Sequence, residues 1–90
     1  MGTAQISSEL VRAARALLRW EQRDLAEAST VSLPTIKRLE ARPGALVAHD
    51  RTIADIRRAF ERAGIEFIDE NGGGPGLRLR KRQRSKASKT

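Results

Sequence analysis

Proline at position 34, two residues after Ser32, constrains this chain more than any other feature. A proline ring locks φ and lacks the N–H a helix interior needs, so Pro34 is tolerated in a helix only in the first turn. Ser32 stands where its hydroxyl can accept from the free N–H groups of that turn. A helix therefore starts near position 33 and runs to about 40, with Ile36 and Leu39 three apart on its inner side. Whatever precedes it has to stop before Ser32. The segment 22–28, with Leu25 and Ala26, is followed at once by Ser29, Thr30 and Val31, so it forms a short helix ending in a tight turn.

The flanks fill in the rest. Over 8–19, Leu10, Ala14 and Leu17 recur at i, i+4 and i+7 with Val11 and Leu18 beside them, and Ser7 or Ser8 can cap the start. Residues 41–48 contain Pro43 and Gly44 and read as a loop. Ile53, Ile56, Phe60 and Ala63 then return to helical spacing until Gly64, a left-handed stop. Beyond it, 65–68 is β-branched and aromatic, 69–76 is turn-rich, and 77–80 alternates apolar with basic, which predicts a β-hairpin. A lone hairpin is marginal, so it should pack on the helices or pair with a second copy. The expected architecture is mainly α: a four-helix domain over 7–64, a short β-hairpin over 65–80 and a disordered basic tail over 81–90.

Ninety residues, 39% of them hydrophobic, support one modest core and no large enzyme pocket. The absence of cysteine removes disulfides and thiolate chemistry, and the one histidine, His49, has no second soft ligand with which to share a metal. No apolar run is long enough to span a bilayer, and the first eight residues lack the pattern of a signal peptide, so a cytoplasmic protein is expected. No catalytic constellation can be assembled and no cofactor is expected. The run Gly72, Gly73, Gly74, Pro75, Gly76 lacks the Gly-Lys-Ser/Thr of a phosphate loop and reads as a hairpin turn. Glu66, Asp69 and Glu70 read as solvated turn charges, and Trp20 as a residue at the core edge between the first two helices.

Charge is unevenly placed. Of the 18 basic residues behind the net charge of +7, seven lie between Leu77 and Thr90 with no acidic one, leaving 11 of each sign before Leu77. A basic tail on a neutral body points to a polyanion, because Lys and Arg that displace condensed counterions gain affinity for nucleic acid of any sequence.

The words Gln22-Arg23-Asp24-Leu25-Ala26, Val31-Ser32 and Thr35-Ile36-Lys37-Arg38-Leu39-Glu40 resemble those of the phage-repressor and Cro-like helix-turn-helix regulators. The resemblance covers about 11–64. It implies a repressor-like fold, a sequence-specific DNA-binding transcriptional regulator, double-stranded DNA as partner, a homodimer, and a nucleoid-associated location. It also implies that Leu33, Pro34 and Arg38 meet base edges, that Gln22, Thr35, Lys37 and Arg42 contact phosphates, and that Arg15 and Glu40 form a structural pair. In the last strand and the tail, Arg78, Arg80, Lys81, Arg82 and Arg84 are expected to make non-specific DNA contacts. Two positions depart from the family: Thr30 replaces the usual glycine of a left-handed turn, and Glu21 replaces a serine-type cap. An antitoxin-like protein that masks a toxin or other partner and represses its own operon is the alternative, and an architectural binder driven by the tail is a third.

Overall fold

The computed structural model describes residues 6–69 and 72–80. The order of elements is α1 (Ser8–Leu18), α2 (Gln22–Ser29), α3 (Leu33–Ala41), α4 (Asp50–Arg62), β1 (Ile65–Ile68) and β2 (Gly76–Leu79). Four helices and one antiparallel hairpin make a mainly helical fold. The expectations for the tail over 81–90, including Lys81, Arg82 and Arg84, and for Glu70 lie outside the described residues.

Local chemistry sets the ends. Of the two serines that can cap α1, Ser7 does so, accepting the Leu10 N–H at 3.1 Å, while Ser8 is fully buried. At the start of α2 the Glu21 N–H donates to Asp24 Oδ2 at 2.7 Å, so a carboxylate three residues on completes a capping box with Glu21. Thr30 ends α2 with φ 59°, a left-handed conformation normally left to glycine. Buried Ser29 ties that turn, its hydroxyl donating to the Leu25 carbonyl at 2.7 Å and accepting the Val31 N–H at 3.2 Å. Ser32 caps α3 by accepting the Thr35 N–H at 3.3 Å, with Pro34 in the first turn.

The core joins Val11 and Ala14 of α1, Leu25 of α2, Ile36 and Leu39 of α3, Ile56, Ala59 and Phe60 of α4, and Ile65 of β1. The inward line of α1 is Val11–Ala14–Leu18, not the expected Leu10–Ala14–Leu17: Leu17 is 45% exposed. Fully buried Ala14 lets α1 approach its neighbours closely along that line, and Leu17 falls on its outer flank. Trp20 stacks on Phe60 of α4 at 5.7 Å, and Phe67 meets Phe60 edge-on at 6.1 Å.

The hairpin pairs Ile65 with Leu79 and Phe67 with Leu77, so its apolar side chains share one face; β1 packs on α4 and β2 on α1. Sequence periodicity did not reveal that Ile6 and Leu46 join the core. The chain around Ile6 lies antiparallel to the α3–α4 loop: Ser8 N–H donates to the Gly44 carbonyl at 2.9 Å, Leu46 N–H to the Ile6 carbonyl at 3.1 Å, and Ser7 bridges Ala45.

Candidate nucleic-acid interface

Helix α3 turns Ile36, Leu39 and Glu40 inward, which leaves Pro34, Lys37 and Arg38 exposed, with Leu33 and Thr35 partly covered at its first turn. Two hollows flank this outer surface. One, of 200 Å³, is lined by Glu21, Gln22 and Arg23 of the α2 start and by Leu33 and Lys37. The other, of 460 Å³, is lined by Thr35 and Arg38 of α3, by Val47, Ala48 and His49 of the following loop, and by Thr52 of α4. Its wall carries a guanidinium, an imidazole and two hydroxyl side chains and no carboxylate.

The Arg15–Glu40 pair holds α3 at its angle. Glu40, its side chain 4% exposed, takes both Arg15 Nε and Nη2 at 2.7 Å. Arg15 Nη1 donates onward to the Trp20 carbonyl at 3.0 Å, and Arg12 Nη1 to the Glu40 carbonyl at 2.8 Å. The end of α1, the approach to α2 and the end of α3 are thus fastened at one carboxylate. Gln22 belongs to the same cluster: its amide Nε2 donates to Glu40 Oε1 at 3.1 Å, and its side chain is half-buried. A carboxylate has lone pairs to spare after a two-pronged arginine contact, and the Gln22 amide takes one. Beside the exposed Arg23 side chain, the start of α2 leaves backbone donors: the Gln22 and Arg23 N–H groups have no acceptor among the described residues, and they sit at the positive end of the helix dipole.

No family model and no curated protein sequence matches this chain. The geometry of the site therefore carries the functional reading. Arg23, Lys37, Arg38, Arg42 and Arg51 have no carboxylate partner among the described residues, and all five are exposed. Arg42 follows directly on α3, and the Thr35 hydroxyl accepts from Ser32 Oγ at 2.9 Å while facing the second hollow.

Arg78 and Arg80 are not gathered at this surface. Arg78 crosses the hairpin to Glu66, with Nε to Oε1 at 3.1 Å and Nη2 to Oε2 at 3.3 Å. Arg80 donates from Nη2 to the Glu61 carbonyl near the end of α4 at 2.9 Å and from its N–H to the Gly64 carbonyl at 2.6 Å, which ties it to the turn between α4 and β1. Thr52 of α4 lines the hollow beside Arg38 and Arg80 binds at Glu61, so roughly 14 Å of helix separates the two.

Sequence reasoning missed Arg23, Val47, His49 and Thr52 as members of this surface. Arg23 carried a usable signal, being an unpaired cation next to Gln22 at a helix start. The other three carried none, because only the folded path of the loop brings them beside Arg38. Among the described residues no group of three His, Asp or Glu is placed to hold a metal, and no helix is long and apolar enough to cross a membrane.

Proposed function

We propose that this chain is a sequence-specific DNA-binding transcriptional regulator that represses by placing α3 in the major groove. The observation that carries this reading is the pairing of a fully anchored inner face on α3 with an outer face whose cations are unpaired. A helix about 12 Å across fits the major groove, and Arg38 there can bond guanine O6 and N7 together through its planar guanidinium. Leu33 and Pro34 offer only apolar contact, such as with a thymine methyl. The free N–H groups of Gln22 and Arg23, with Lys37 across the first hollow, suit a phosphate oxygen. Gln22 serves through its backbone while its side chain positions Glu40. Thr35 and Arg42 border the same surface and suit backbone contacts. Two copies on half-sites about 34–36 Å apart would complete an operator.

Selection of a preferred site from a random duplex pool tests the reading. Arg38→Ala should lose roughly 5- to 150-fold in preference for that site, the equivalent of about 1–3 kcal/mol. Arg42→Ala should instead weaken binding to all sequences and flatten the salt dependence by about one unit of slope. A protein that selects no site, or an Arg38→Ala variant with undiminished preference, overturns it.

A further inference from the structure

Val47 is the most exposed of the large apolar side chains among the described residues, at 58%. Isolated apolar groups on a surface are common, so exposure alone says little. Its placement says more. The loop that carries it is fastened to the body on one side: Gly44 accepts the Ser8 N–H and donates its own N–H to the Glu9 carboxylate at 3.1 Å, Ala45 bridges Ser7, and Leu46 donates to Ile6. Leu46 is buried in the core while its neighbour Val47 is exposed, so Val47 emerges away from the core. It emerges into the hollow that holds Arg38, Thr35, His49 and Thr52, a wall with no carboxylate.

We propose that Val47 is a specificity-determining contact, an apolar wedge presented beside Arg38 to a carbon surface of the bound duplex. This rests on the DNA-binding reading above and extends it from the reading helix to the loop after it. The wall charge fits a polyanion, and the strapped loop pre-organises the side chain, so little ordering is needed on binding. Two carbon surfaces of DNA have the right chemistry, the thymine 5-methyl group and the deoxyribose face. An apolar contact of this kind releases no counterions, so its contribution does not depend on salt.

The test compares the full chain with Val47→Thr, which keeps the shape and replaces a methyl by a hydroxyl, and with Val47→Ala. Circular dichroism and sedimentation velocity confirm fold and oligomeric state. On the site selected by the unaltered protein, Val47→Ala is expected to bind about tenfold more weakly and Val47→Thr several-fold more weakly, with unchanged salt slopes. Replacing each thymine by deoxyuracil assigns the partner. A thymine whose loss weakens the unaltered protein and leaves Val47→Thr unaffected identifies the methyl group; no such position, with the variants still weakened, identifies the sugar. Variants that bind the selected site as tightly as the unaltered protein overturn the proposal and leave the regulator reading standing. A weakened variant whose oligomeric state has changed also overturns it and assigns Val47 to a protein contact. A protein that selects no site at all overturns both.

Discussion

Arg15→Met is expected to act through stability, although Arg15 lies close to α3, the helix proposed to read DNA. The Glu40 carboxylate it serves is 4% exposed and receives two of its three side-chain hydrogen bonds from Arg15, the third coming from Gln22. Removing the guanidinium leaves a buried carboxylate with one neutral donor, and breaking a buried pair this way costs about 3–5 kcal/mol. Arg15 itself is 19% exposed, so water can enter part of the vacated space and the lower end applies, about 3 kcal/mol. For a domain of this size that lowers Tm by roughly 12–24 °C. Urea unfolding followed by circular dichroism reads the effect, and the double variant Arg15→Met/Glu40→Gln, which removes the stranded charge, should recover at least about 1 kcal/mol. A single variant losing under about 1 kcal/mol, as exposed pairs do, or a double variant whose loss equals the sum of the two singles, would refute the reasoning.

Thr30→Gly should stabilise the protein, since a β-branched residue at φ 59° carries about 1–2 kcal/mol of strain that glycine relieves, partly offset by glycine's freedom in the unfolded chain. A rise in Tm of several degrees is expected; a fall would show that the turn holds threonine without strain. Glu9 has a pKa lowered by its own backbone N–H and by that of Gly44, so its ionised form stabilises the fold above the ordinary carboxylate range, and this contribution fades as pH falls through its lowered value. The stability difference between the unaltered protein and Glu9→Gln should therefore be constant near neutrality and vanish at acid pH, and a gap that persists at pH 2 in urea titrations would contradict the Glu9–Gly44 contact.

Much of the architecture was legible in the sequence because its signals are local. Capping at Ser32, the locked φ of Pro34, the stop at Gly64, the β-branched and aromatic run at 65–68 and the alternation at 77–80 each act within about one turn or one strand, so helix α3 and the hairpin could be placed to within a residue or so. The outward row Pro34, Lys37 and Arg38 followed from the inward pair Ile36 and Leu39. The Arg15–Glu40 pair came from motif resemblance, since nothing in the local pattern joins residues 25 apart.

What only the tertiary structure decided is which distant groups meet. Gln22 could have faced a phosphate or the protein, and an unsatisfied lone pair on a carboxylate 18 residues away turned its side chain inward. Arg78 and Arg80 are expected from charge alone to meet DNA, but hairpin register put Glu66 opposite one and the Glu61 and Gly64 carbonyls beside the other. Val47 and His49 reached α3 because residues 6–8 strap the loop from the far side. Propensity and capping are properties of neighbours in the chain. Partner choice is a property of packing, where burial demands that every polar group find a partner and every apolar one find cover, wherever in the sequence these lie.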